Sequence, residues 1–273
     1  MTNRVATRDT VNSALLAPGL YGYDMEAIPW RETPRGTARE KAVRRDNAAG
    51  LFLGLVTFQP MSRSGLHQHL GTASSYFLAG SLTDHQATTR AGCVGINLAG
   101  ATHDAVSYDG CTLVSRLEGP VVVPEPSLAI HPHAQQAAVR STHAETPPDI
   151  TVELDKAVTV ATRLPGVVRR PLFDYAGTGD NRRLCHLTLW PGTPPQAIRH
   201  TALTDLFVLV GDLQVNGKAL HGPAFVIIEP GTMATLSSEY GCALLAWAEG
   251  PGVSESSGEA ELYGFSSGLP RPA

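Results

Sequence analysis

The chain has no long apolar run, no block of like charge and no paired-cysteine motif, and each absence removes a class of function. No stretch approaches the ~18 apolar residues that a membrane-crossing helix needs, and Met1–Thr10 is polar, without the apolar core of a secretory leader. A cytoplasmic protein that does not engage a membrane is therefore expected. Charged residues make up only 17% of the chain and the net charge is −4, with no basic stripe, so nucleic acid is not an expected partner. The four cysteines, Cys93, Cys111, Cys185 and Cys242, form no C-x-x-C pair and sit mostly in apolar segments. They read as small buried hydrophobes rather than as a disulfide framework.

What is plentiful is glycine (27) and proline (20), which favours short strands joined by turns over long helices. Asp9–Leu16 reads as a short helix. The basic run of Arg31, Arg35, Arg39, Lys41, Arg44 and Arg45 reads as a solvated edge strand and loop. From Gly50 the texture changes. Leu51–Phe58 is an apolar strand closed by Pro60, and further strands are expected around 66–69, 75–83, 93–98 and 111–118.

The second half repeats the first. Pro60 recurs as Pro191, 131 positions on, and the offset then holds without a gap. His69 falls on His200, Gly80 on Gly211, Gly100 on Gly231, Gly110-Cys111 on Gly241-Cys242, and Glu118-Gly119-Pro120 on Glu249-Gly250-Pro251. A period this long means two similar domains rather than a solenoid. Asn216-Gly217 between short strands is a type I′ hairpin signal. The expected division is an N-terminal arm (1–45), a first domain (46–125), a proline-containing linker (126–150), a second domain (151–255) and a tail (256–273).

Within the first copy, His67-Gln68-His69 places two imidazoles on one face of a strand, because residues i and i+2 point the same way. Neutral imidazole is a common metal ligand, and His103, after the Gly100 turn, is a third candidate. The repeat acts as an internal control. His67 falls on Ile198 and His103 on Ala234, so the second copy is expected to be free of metal. His131-Pro132-His133 is a weaker pair in linker-like sequence, and His143, His186 and His221 each stand alone. Residues peculiar to the first copy, Tyr76, His85 and Arg116, are candidates for substrate binding, although strand parity does not by itself place all three in one pocket.

These motifs resemble those of the cupin superfamily, and two such copies resemble a bicupin: all-β, two cupin (double-stranded β-helix, or jelly-roll) domains in tandem. Ala73 stands where the first cupin motif expects its glutamate, which leaves three histidines, and the second motif lacks its proline and asparagine. The three-histidine pattern followed by Tyr76-Phe77-Leu78 is similar to the acetylacetone and 2,4'-dihydroxyacetophenone dioxygenases, and parts of the copy also resemble the cupin domain of ChrR anti-sigma factors. The resemblance implies a non-haem Fe(II) dioxygenase that cleaves a C–C bond in a diketone- or hydroxyketone-like molecule, with that molecule and O₂ as partners. Zn, Ni, Mn or Cu would also suit three imidazoles, and with them an O₂-independent isomerase, lyase or hydrolase. A ChrR-like sensing regulator is a third reading. Its helical, sigma-binding segment with its own Cys and His ligands has no counterpart in the first 45 residues. Association as a homodimer, sheet to sheet, is a further expectation from the family.

Overall fold

The computed structural model describes residues 7–84, 87–123, 149–175 and 181–265. Among them there is no α-helix, and the strands pair antiparallel throughout. The chain divides into two compact units, each drawn from two separate segments. The first combines residues 1–9 with 28–156, and the second combines 10–27 with 157–273.

In the first unit the main sheet runs in the order Thr7–Arg8, Arg39–Asp46, Leu51–Phe58, Cys111–Glu118, Ala73–Thr83, Cys93–Asn97 and Asp149–Glu153. A small sheet places His67–His69 between Thr102–His103 and Val121–Val122. In the second unit the corresponding path runs Val160–Ala161, Val167–Asp174, Arg183–Leu189, Cys242–Ala248, Thr204–Val215, Ala224–Ile228, Leu20–Asp24 and Ala14–Ala17. The offset of 131 carries Ala73 onto Thr204, Cys93–Asn97 onto Ala224–Ile228, and Cys111 onto Cys242, so the sequence repeat is a repeat of strands. The expected all-β, two-copy architecture is therefore present.

Three expectations change. Asp9–Leu16 is not a helix: Ala14–Ala17 and Leu20–Asp24 form a hairpin, turned at Pro18-Gly19, whose second strand pairs with Ala224–Ile228. The basic run is a solvated edge and loop only at its start, where Arg31, Arg35 and Arg39 are exposed. Arg39–Asp46 lies between Thr7–Arg8 and Leu51–Phe58, with Glu40 and Arg44 buried. The N-terminal 45 residues are thus not an arm, since they supply strands to both units, and Asp149–Glu153 completes the first unit by pairing with Cys93–Asn97. Leu20–Asp24 and Asp149–Glu153 each satisfy a sheet edge distant in sequence, which local periodicity does not reveal. Most of the expected linker, 124–148, and the end of the tail lie outside the described residues.

Two glycine pairs show why the repeat keeps its glycines. Gly80 sits at φ 68° opposite Cys111, and a Cβ there would collide with the Gly110 carbonyl oxygen. Gly211, at φ 88°, makes the same approach to the Gly241 carbonyl oxygen. The hairpin at Asn216 (φ 50°) and Gly217 (φ 76°) has the two left-handed residues of a type I′ turn. All four cysteines are buried free thiols.

Gly80→Ala should therefore lower stability by more than about 2 kcal/mol, because it adds a steric clash to the backbone strain. Gly92→Ala, at φ 83° with nothing within 4 Å of the added carbon, should cost only about 1 kcal/mol. Urea denaturation of the two variants checks this, and equal losses would show that the close approach is unimportant.

Candidate metal centre

His67 and His69 alternate with half-exposed Gln68, so both side chains leave the strand on its buried face, at 7% and 6% exposure. His103 is the register partner of His67 on the neighbouring strand. Directly opposed residues on one face of an antiparallel pair stand about 4.5–5.5 Å apart at Cβ. The third imidazole therefore arrives by strand pairing. The turn that allows it is closed by the Gly100 N–H to the His69 carbonyl (2.7 Å) and the His69 N–H to the Ala101 carbonyl (2.8 Å), with Gly100 at φ 98°.

The ring nitrogens face one another. His103 Nε2 lies 3.0 Å from His67 Nε2 and 3.3 Å from His69 Nε2. The opposite nitrogens set the tautomers of two of them. His67 Nδ1 lies 2.6 Å from the Gly65 carbonyl oxygen, which can only accept, so Nδ1 carries the proton. His103 Nδ1 lies 3.2 Å from Asp84 Oδ2 and likewise donates. His67 Nε2 is then a bare lone pair facing His103 Nε2, a position from which it can bind a cation. Metal–nitrogen bonds of about 2.0–2.1 Å separate neighbouring ligands by about 2.8–3.4 Å on an octahedral or tetrahedral ion. The donor set, tautomers and spacing all fit a divalent first-row metal.

Electrostatics keep His67 and His69 neutral. Burial, then the field of His103, bring His67 down to about 3, with Arg35 adding to the fall and the Gly65 carbonyl opposing it. Burial and the neighbouring His103, His67 and Arg35 hold His69 well below its ordinary value. Asp84, His103 and Asp149 form a second group of converging donors, and Asn97 Nδ2 donates to Asp149 Oδ1 at 2.5 Å. Asp84 thus orients a candidate ligand from outside, as carboxylates commonly do for metal-bound histidine.

The three histidines line a cavity of about 670 Å³ within the first unit. Its walls include Ala73, Ser75 and Phe77 from one strand and Leu117, Ser115 and Leu113 opposite them, with the Ser75 and Ser115 hydroxyls 2.8 Å apart. These are the odd-numbered positions. Tyr76 and Arg116 lie between them and do not line the cavity; Arg116 is ion-paired with Glu118. His85, like His131, His133 and His143, lies outside the described residues. Sequence reasoning missed Arg35, Asp84 and Asp149, which line the cavity. Arg35 was hidden in a basic run, and no local motif marks the two aspartates.

The second unit fills the same space. Ser75 and Ser115 become Leu206 and Ala246, still register partners, and together with Ile198 and Ala234 they belong to a continuous apolar core. His200 is fully buried, with Tyr263 OH 2.8 Å from its Nε2. Burial lowers it to about 4. His186 is buried in the strand Arg183–Leu189, and His221 is exposed.

His103→Ala should remove most bound metal, whereas His200→Ala should leave it in place; metal analysis of the two variants decides between them. Asp84→Asn should weaken metal affinity about 10- to 100-fold. The folded protein keeps His200 neutral, whereas the unfolded chain takes up its proton near pH 6.5. Stability should therefore be full above that value and fall on acidification from about 6.5 to about 4, by at most about 3 kcal/mol from this residue. His200→Leu should flatten that slope in urea titrations run across the window.

The profile of the ChrR Cupin-like domain matches residues 20–121. No curated protein matches the sequence. Among solved structures, the chain is similar to a candidate dioxygenase from Nostoc punctiforme PCC 73102 at TM-score 0.64 and 8% identity, over 86% of this chain and 84% of that one. It is also similar to oxalate decarboxylase from Bacillus subtilis at TM-score 0.57 and 12% identity, over 86% and 78%. That enzyme has Mn(II) centres. At these identities the structures establish the fold alone. No helix among the described residues is long and apolar enough to cross a membrane. With the profile matched over residues 20–121, the repeated strands and these structural likenesses together, the chain has a two-copy cupin fold.

Proposed function

We propose that the first unit is a three-histidine, metal-dependent oxygenase: an Fe(II) dioxygenase that cleaves a C–C bond in a small diketone- or hydroxyketone-like substrate. The observation that carries this reading is the convergence of three imidazole nitrogens on the wall of a largely apolar cavity. Three imidazoles and no carboxylate leave the charge of a divalent ion undiminished, which favours a chelating enolate, and three protein ligands leave coordination positions free. Iron bound there would supply Lewis-acid and oxygen-activating chemistry.

The chain's own residues prepare the site. Gly65 and Asp84 hold His67 and His103 as Nδ1-protonated tautomers. Phe58, Phe77, Leu82 and Leu113 line the cavity and give it an apolar surface. The Ser75–Ser115 hydroxyl pair offers a substrate oxygen a donor on an otherwise apolar wall. A second reading, a metal- or ligand-sensing cupin, is favoured by the match of residues 20–121 to the ChrR Cupin-like domain.

The test is metal content of the protein as purified, followed by oxygen uptake of the Fe(II)-reconstituted form with β-diketones and aryl hydroxyketones. Substrate-dependent uptake, lost in His103→Ala, is the expected result. Tightly held zinc or nickel without oxygen uptake would overturn the oxygenase reading in favour of an isomerase, lyase or hydrolase. Metal or ligand binding without turnover would favour the sensor.

A further inference from the structure

Among the cavity's charged side chains, Arg35 differs from its neighbours. It lies on the loop between the strands Arg31–Glu32 and Arg39–Asp46, where the Gly36 N–H donates to the Thr33 carbonyl (2.9 Å) and the Thr33 N–H to the Ala38 carbonyl (2.9 Å). The guanidinium reaches toward the histidine-bearing segment. A Cβ on Gly65 would stand 3.2 Å from Arg35 Nη2, so the glycine leaves room for it. Its charge acts on both His67 and His69.

The other arginines nearby are engaged. Arg45 is paired with Glu40, donates to Asn47 Oδ1 at 3.2 Å and stacks on the Phe52 ring. Arg63 is paired with Asp104, the carboxylate whose charge also acts on Arg35. Among the described residues, no hydrogen bond or ion pair within 4 Å is made by the Arg35 guanidinium itself. A guanidinium carries five donors in a planar fork that matches a carboxylate, and Arg35 is exposed where it lines the cavity, so those donors are open to a ligand.

We infer that Arg35 binds a carboxylate on the substrate, so that the cavity takes a small keto or hydroxy acid with an apolar body, its carboxylate on Arg35 and its body against Phe52, Phe58 and Phe77. This rests on the oxygenase reading only for what happens to the bound molecule; the carboxylate preference is a property of Arg35 and the cavity. Arg35 is therefore a specificity residue rather than a metal ligand, and its loss should leave metal content unchanged.

The experiment is calorimetric titration of the protein with phenylpyruvate and with its neutral counterpart 1-phenylbutane-2,3-dione, alongside metal analysis. The wild-type chain should bind the acid at least about tenfold more tightly than the dione. Arg35→Gln should abolish that preference while leaving metal content and dione affinity unchanged, and Arg35→Lys should restore part of it. No binding of phenylpyruvate by the wild-type chain, no preference over the dione, or a preference that survives in Arg35→Gln would each overturn the inference. The two readings fail separately. An Arg35-dependent preference in a protein that consumes no oxygen would sink the oxygenase alone, and oxygen uptake with neutral diketones that is indifferent to Arg35→Gln would sink the carboxylate alone.

Discussion

Three imidazoles whose Nε2 atoms converge are the constraint around which the first unit is arranged. The nitrogens stand 3.0 and 3.3 Å apart around His103. Three donors so close together on buried and half-buried strands suit a cation between them. The surrounding contacts serve that convergence. The Gly65 carbonyl and Asp84 hold the outer nitrogens, the Gly100 turn brings His103 opposite His67, and burial together with Arg35 opposes protonation of His67 and His69.

The second unit shows the same strands without that constraint. At the matching register positions Leu206 and Ala246 replace the paired hydroxyls of Ser75 and Ser115, Ile198 replaces His67, and the interior closes into apolar core. What both copies retain is a matter of backbone. Gly80 and Gly211 each pass so close to a carbonyl oxygen that no side chain fits. Comparing the copies therefore separates residues that serve the barrel from residues that serve the cavity, with no alignment of other proteins required.

The same comparison has limits. It singled out Tyr76 and Arg116 because the second copy lacks them, but a residue can differ between copies on either face of a strand. Both lie at even positions between cavity-lining Ser75, Phe77, Ser115 and Leu117. Arg35 had no counterpart to be compared with and sat in a run of positive charge that resembled solvated surface. Its role depends on a loop folding over the cavity mouth and on a glycine at position 65, neither of which has a period or a spacing to read.

The sequence by itself determined the strand content, the two copies in their constant register, the His-x-His face and the loss of two of its three ligands in the second copy. These are properties of local alternation and of repetition, and both are written along the chain. Tertiary structure alone decided which distant segments complete each unit. Leu20–Asp24 closes the second and Asp149–Glu153 the first, because a sheet edge accepts any strand that can satisfy its backbone groups. It also decided that Asp84 meets His103 and that Arg35 faces the cavity, since such contacts follow from the path of the chain in space and not from the order of its residues.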